Sequence, residues 1–252
     1  MTKMTMPKKA ILDADIIVYK AACYLDIEGT DELEDKLTSD IKRWTPKGVD
    51  EVCLALSCSR RKNYRRDFWE RYKSNRDGAD SPDSLGLCRE YLIDSHNAML
   101  EPRLEADDLI GIYVSSHEMV GVTIDKDLKC VPGFHWNPDK DKKEIRYITE
   151  EEADRFFYLQ WMSGDSTDGI PGLWRIGPKK ADRFLDTWEP DEWQDKIIEM
   201  YGEEKYQPKD GKVDAVSMAR CVRILRDGEY DFDTKKIELW NPIVGYNDIE
   251  EN

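Results

Sequence analysis

Residues 161–181 read WMSGDSTDGIPGLWRIGPKKA: two aspartates three apart among small residues, then a glycine-rich turn, then a pair of lysines. Gly169, Gly172 and Gly177 permit tight turns and close approach of the backbone to a ligand. After Gly177 the chain is set to start a helix, with Pro178 in its first turn. Backbone N–H groups at such a start, flanked by Lys179, Lys180 and Arg183, suit a phosphate. Asp165 and Asp168 thus put cation-binding carboxylates a few residues from a loop suited to a nucleic-acid backbone. Taken singly, each half has a plainer reading: an interhelical turn, or a pair of solvated or capping acids. A calcium loop is excluded, because the alternating ligands and the closing glutamate are missing.

Moving outward, the chain of 252 residues is long enough for one large domain or two closely packed ones. No apolar run approaches a membrane span, and the start, MTKMTMPKKA, lacks the apolar segment of a signal peptide. The six cysteines form no C-x-x-C pair and no zinc spacing, which points to reduced, structural thiols in a cytoplasm. A net charge of −15 argues against a nucleic-acid partner until its distribution is considered. Residues 60–76, RRKNYRRDFWERYKSNR, concentrate basic side chains, Arg65, Arg66, Lys73 and Arg76 among them, between Tyr64, Phe68, Trp69 and Tyr72. That pattern suits phosphate contacts with stacking on exposed bases, or else a solvated helix face whose aromatics fill the core.

Residues 10–18 read as a buried strand ending at Asp13, and 17–25 as a helical segment followed by an acidic stretch over 26–42. Residues 49–57 read as a second strand, apolar from Val52 to Leu56, as expected of a parallel strand covered on both faces. Residues 77–86 are turn-rich and mobile in this reading, and 87–100 have helical spacing. Residues 105–117 form an amphipathic helix with acids in its first turn, and 120–124 a third strand that ends in Asp125-Lys126-Asp127. A hairpin-like excursion over 132–148 precedes helices at 149–163, 178–188, 193–201 and 214–226; the tail, 231–252, stays unassigned. This alternation predicts an α/β domain with a mostly parallel central sheet flanked by helices, then a mainly helical region. In such sheets functional groups gather at the carboxyl ends of the strands.

Four groups of acids fall where apolar elements stop: Asp13; Glu105, Asp107 and Asp108; Asp125 and Asp127; Asp165 and Asp168. Glu105 and Asp108 lie one helical turn apart, and Asp125 and Asp127 point the same way if still strand-like. So many carboxylates converge only with their charge compensated. Oxygen-only ligands without His or Cys favour Mg²⁺ or Mn²⁺, and two such ions can drive phosphodiester hydrolysis.

These pieces resemble the phage and bacterial 5′→3′ exonuclease/flap endonuclease family. The matching segments are LDAD at 12–15, RYKSNR at 71–76, LEADDLIG at 104–111, TIDKDL at 123–128 and GDSTDGIPGLWRIGPKKA at 164–181, in the family's order. The resemblance implies a PIN-like catalytic domain over 1–155, carrying a basic segment and arch at 60–104. A helix–hairpin–helix-type domain over 156–252 follows, with its motif at 164–185. It further implies that the eight acids above are metal ligands, with Glu105, Asp107 and Asp108 serving chiefly the catalytic ion, and Asp107 and Asp108 taking part in catalysis. Lys73 resembles the active-site lysine and Arg76 its phosphate-gripping neighbour. Gly172, Ile176, Gly177 and Lys180 match a loop that in relatives binds duplex backbone and K⁺. Relatives also carry an acid after the second strand, where Cys58 stands here. Asp15 has no counterpart among the ligands and is expected in a supporting role.

The expected activity is therefore Mg²⁺-dependent 5′→3′ hydrolysis at DNA ends, and of RNA in RNA–DNA hybrids, by a two-metal mechanism. The compact length without a polymerase domain suggests a stand-alone, monomeric phage enzyme for primer removal or DNA breakdown. The competing readings are a DNA-binding protein that kept the fold and lost turnover, and a PIN-type ribonuclease.

Overall fold

The computed structural model describes residues 5–140, 144–209 and 211–242. The readings of the first four residues, the middle of the 132–148 excursion and the end of the tail lie outside the described residues. Two compact units emerge. One comprises Met1–Tyr64, Arg76–Ala153 and Ile224–Lys236, the other Arg65–Asn75, Asp154–Arg223 and Ile237–Asn252. These bounds differ from a single cut near residue 155, because the chain visits the second unit early, at 65–75, and returns to the first late.

In the first unit, β1 (Lys9–Asp13) runs without a loop into α1 (Ala14–Glu28). Ala10, Ile11 and Leu12 have no exposed surface, as a run apolar on both faces requires. After α2 (Leu33–Arg43) come β2 (Glu51–Leu56), α3 (Leu85–His96), β3 (Met99–Leu100), α4 (Ala106–Ser115), β4 (Met119–Val122), β5 (Gly133–Trp136) and β6 (Arg146–Ile148). The six strands form one sheet in the order β3-β2-β1-β4-β5-β6. All neighbours pair in parallel except β6, which runs antiparallel to β5 and makes the 132–148 excursion a hairpin. The register sets Leu12 against Leu54 and against Val122, so β1 and β4 end side by side. The core of this layer joins Leu12, Leu54 and Val122 to Ala21, Leu25, Leu37 and Trp44 of the helical cover. Each fully buried Leu or Ile contributes roughly 1.5–3 kcal/mol. Gly133, at φ 127°, approaches Val114 so closely that a Cβ there would sit 2.5 Å from the Val114 carbonyl.

The second unit is built from α5 (Glu150–Ser163), α6 (Pro178–Thr187), α7 (Trp193–Gly202) and α8 (Ala215–Val222) around the fully buried Trp161. Its indole N–H donates to the Ala215 carbonyl at 2.8 Å, and the Tyr201 hydroxyl donates to the Trp161 carbonyl at 2.6 Å. Helix α8 stops four residues short of the predicted end. The Arg223 carbonyl is taken by Arg65, and the Leu225 N–H is taken by Asp108. A two-residue ribbon, β7 (Tyr230–Asp231) and β8 (Lys236–Ile237), was not signalled by any periodicity.

The basic segment is not a helix. It makes short 3₁₀ turns at Arg60–Lys62, Tyr64–Asp67 and Ser74–Arg76, and Lys73 takes a left-handed φ of 52° that no helix continues through. The turn-rich 77–86 segment is tied at its end, where the Asp26 carboxylate accepts the Asp83 and Ser84 N–H groups at 2.9 Å each. No helix among the described residues is long and apolar enough to cross a membrane.

Candidate active-site residues

In the first unit the carboxyl ends of β1, β2 and β4 meet the start of α4. Asp13 closes β1, and its Oδ2 accepts the Thr123 hydroxyl at 3.0 Å. The Thr123 Oγ1 in turn accepts the Asp125 N–H at 3.0 Å. One hydroxyl thus ties the buried acid of β1 to the exposed acid that follows β4. Asp15, in the first turn of α1, accepts Arg89 Nη1 at 2.6 Å and the Ser57 N–H at 3.1 Å. Arg89 Nη2 donates to the Ser57 carbonyl at 2.6 Å, and Ser57 Oγ accepts the Ala106 N–H at 2.9 Å. Arg89, Ser57 and Thr123 escaped sequence reading, since nothing local marks a serine, threonine or arginine whose partner lies far along the chain.

Helix α4 opens on a capping box: Glu105 accepts the N–H of Asp108, while Asp108 Oδ2 accepts the N–H of Glu105 at 3.0 Å. Asp108 is fully buried and its other oxygen accepts the Leu225 N–H at 3.3 Å. Both its oxygens accept main-chain donors, so Asp108 also positions the helix start. Asp107 stands outside the box at the helix start, where a carboxylate is favoured by the free N–H groups. Asp125 and Asp127 are not strand-like. Asp125 Oδ1 accepts the Asp127 N–H at 2.9 Å, an Asx-type turn that starts a 3₁₀ segment, and Lys126 Nζ lies 2.8 Å from Asp127.

Asp13 carries the electrostatic mark of this arrangement. Burial, followed by the charge of Asp15 and then that of Asp125, pushes its carboxyl up to about 7 against the opposing Thr123 hydrogen bond. Uncompensated acids next to one another do this, and an added cation removes the conflict. The donor set is carboxylate oxygen, which suits hard divalent cations. Among the described residues no group of three or more acidic, histidine or cysteine side chains is drawn up around a common point. His135 is no candidate ligand, as its Nε2 meets the Val131 carbonyl at 2.8 Å and burial holds it neutral, at about 4.

The raised value has a stability consequence. Folded Asp13 keeps its proton to about pH 7, whereas in the unfolded chain it ionises near the ordinary carboxylate value. Its contribution to stability is therefore full at pH 3–4 and is lost as pH rises through 7, by a few kcal/mol at most. Asp13→Asn should melt above wild type at pH 8 in EDTA, with the gap closing by pH 4. Thermal melts at several pH values check this, and a gap independent of pH would contradict the assignment.

In the second unit, the 69–75 segment is laced to the aspartate loop that precedes the glycine turn. Asp165 and Ile170 exchange backbone hydrogen bonds at 2.8 and 2.9 Å, and Asp165 Oδ1 accepts the Thr167 N–H at 2.7 Å. The Lys73 N–H donates to the Asp168 carbonyl at 2.8 Å, Trp69 Nε1 to the Gly169 carbonyl at 2.7 Å, and Asn75 Nδ2 to the Thr167 carbonyl at 3.1 Å. These bonds leave Lys73 Nζ 3.5 Å from Asp168 Oδ2. Two motifs nearly a hundred residues apart in sequence thus form one local structure.

The expected phosphate-binding residues divide. Gly177 caps α6 with Pro178 at the first position, and nothing lies within 4 Å of where its Cβ would be. Lys179 and Lys180 are exposed there, and Lys180 Nζ donates to the Arg175 carbonyl at 3.0 Å. Gly172 serves internal packing instead of ligand approach: a Cβ on it would meet Gly164 N at 2.2 Å. Arg65 is corrected as well. It is 2% exposed, and its guanidinium donates to the Cys221 and Arg223 carbonyls at 3.0 and 2.6 Å. Arg66 and Arg76 are half-buried, and Arg60 donates to the Arg76 carbonyl.

The first unit is thus an α/β sheet with acids at its strand ends, and in the second a lysine-bearing loop is laced to the aspartate loop. A scan against protein-family models gives no match. Among curated proteins, the exonuclease of Escherichia phage T7 is 25% identical over 287 aligned positions, 92% of this chain and 93% of that protein. Flap endonuclease Xni of Shewanella piezotolerans is 31% identical over 141, covering 49% of this chain and 54% of its own. DNA polymerase I of Rhizobium leguminosarum is 30% identical over 224 positions, 81% of this chain, which spans only 22% of that protein. Among solved structures, the T5 5′-exonuclease with bound divalent zinc shares the fold: TM-score 0.54 at 15% identity, covering 85% of this chain and 89% of that one. The chain is thus similar to 5′→3′ exonucleases and flap endonucleases.

Proposed function

We propose that this chain is a Mg²⁺-dependent nuclease that hydrolyses phosphodiester bonds at DNA 5′ ends and in RNA of RNA–DNA hybrids, releasing 5′-phosphorylated products. The observation that carries the reading is the link from buried Asp13 through the Thr123 hydroxyl to Asp125, which joins acids at the carboxyl ends of β1 and β4. The ligands proposed are Asp13, Glu105, Asp107, Asp108, Asp125, Asp127, Asp165 and Asp168. Bound divalent ions, two in this reading, supply an activated water and neutralise the leaving oxygen. Thr123 fixes Asp13, the Asp15–Arg89 pair holds Ser57 just beyond β2, and Ser57 Oγ holds the start of α4. Lys73 neutralises the scissile phosphate, and its neighbour Arg76 grips phosphate beside it. Gly177, Lys179 and Lys180 bear on the duplex backbone, with K⁺ at the 172–180 loop. The T5 5′-exonuclease, alike in fold, was solved with divalent metal, which supports the metal dependence. The proposed setting is a monomeric, phage-encoded enzyme of the host cytoplasm.

Cys58, at a position where relatives carry an acid, gives weight to a second reading, a DNA-binding protein without turnover. A 5′-labelled duplex incubated with Mg²⁺ or with EDTA separates them. Stepwise release from the 5′ end in Mg²⁺ alone is expected, whereas binding without Mg²⁺-dependent cleavage overturns the nuclease. Preference for single-stranded RNA over duplex DNA ends would point to a PIN-type ribonuclease.

A further inference from the structure

Beside Asp125 lies a cavity whose charge is opposite to that of the molecule. It has a volume of about 120 Å³, and Lys126, Lys129, Lys140 and Arg146 line it, with the Asn137 amide, against the single acid Asp125. In a chain of net charge −15, four cations around one cavity invert the local field. Lys126 is engaged by Asp127 at 2.8 Å, and the neutral His135 behind the cavity adds no charge. Trp136 lines this cavity and also a second one of about 270 Å³, whose other lining residues include Arg43, Lys47, Pro46 and Pro138. Trp136 thus divides two neighbouring cation-lined hollows, all within the first unit.

Size narrows the ligand. Sites that enclose small molecules or cofactors run to roughly 300–1,000 Å³, so neither hollow encloses a whole nucleotide. Each does admit a phosphate group whose sugar and base remain outside. Cations spaced along a surface are what the backbone of a nucleic-acid strand requires of a protein. We infer that Lys129, Arg146 and their neighbours hold a backbone phosphate of a DNA strand near Asp125, and that Arg43 and Lys47, beyond Trp136, hold another phosphate of the same strand. The inference rests on the nuclease reading for the identity of the strand, and it adds a strand track to the first unit that is separate from the α6 loop.

The test uses the whole chain in EDTA, where binding is read without cleavage. Fluorescence anisotropy with a labelled single-stranded oligonucleotide is measured across a salt series for wild type, Lys129→Ala/Arg146→Ala and Arg43→Ala/Lys47→Ala. Lys196→Ala/Lys205→Ala in the second unit is the charge-matched control, and thermal melts confirm that all are folded. Each double variant should bind about tenfold or more weakly, and its log–log salt slope should fall by about 0.7, the single-strand value for one phosphate no longer neutralised. The control should match wild type. Affinity and slope unchanged in both double variants would overturn the track. Competition with 5′-dAMP and with inorganic phosphate separates strand from released product. Weak competition by both supports the strand, whereas micromolar 5′-dAMP binding that Lys129→Ala/Arg146→Ala alone abolishes, with oligonucleotide binding intact, overturns it. Failure of the nuclease reading appears elsewhere, as absent Mg²⁺-dependent cleavage by wild type, and leaves these binding results unaltered.

Discussion

Asp125→Ala and Asp107→Ala should each lower Mg²⁺-dependent cleavage by more than about a hundredfold while leaving the melting temperature within a degree or two of wild type. Groups that merely orient a ligand are already worth about 10- to 100-fold, and these two acids are proposed as ligands themselves. The structure explains why the fold survives. The main-chain N–H of residue 125 bonds Thr123 whatever side chain is present, so the link to Asp13 persists. Asp107 lies outside the capping box, and alanine is a good residue within a helix. Asp108→Ala should lose stability as well. It strips the N–H groups of Glu105 and Leu225 of their acceptor in a fully buried setting. A lost cap and a stranded donor together cost about 2–4 kcal/mol. Single-turnover cleavage of a 5′-labelled duplex, beside melts and DNA binding in EDTA, resolves the three variants. Cleavage within tenfold of wild type for Asp125→Ala would remove that residue from the metal set.

The contrast between Asp107 and Asp108 also marks how far the sequence could be read. Strand ends were legible because apolar runs stop abruptly at Asp13 and just before Asp125, and strand–helix alternation fixes a mostly parallel sheet. Element starts such as Pro178 and Glu105 were legible from helix-capping chemistry. The division of labour within EADD was not, since a capping box and a metal-ligand motif use the same residue types at the same spacing. Arg65 was misread for a similar reason: an arginine among aromatics looks alike whether its guanidinium meets solvent or buried carbonyls, and only Cys221 and Arg223, over 150 positions later, decide it. Thr123, Ser57 and Arg89 stayed hidden because their roles lie in partners brought together by the sheet. Strands of two residues, β3, β7 and β8, are too short to carry a period at all.

Lys73→Ala should slow the chemical step by about 10²- to 10³-fold, the range for removing one preorganised group from a developing charge, while weakening DNA binding no more than about threefold. The loop around it does not depend on the ammonium. Its shape is held by the Lys73 N–H on the Asp168 carbonyl, the Trp69 indole on Gly169 and the Asn75 amide on Thr167, all of which alanine at 73 retains. Alanine also meets the same left-handed backbone requirement as lysine, so no new strain arises. What disappears is the cation 3.5 Å from Asp168 Oδ2, which is only 13% exposed at its side chain and therefore little screened by solvent. Lys73→Arg should recover only part of the rate, because a planar fork cannot occupy the position of a compact ammonium. Rates under saturating DNA, set against affinities measured in EDTA, separate the two effects. If rate and affinity fall together by the same factor, Lys73 holds the substrate in its ground state, and its assignment to the transition state is lost.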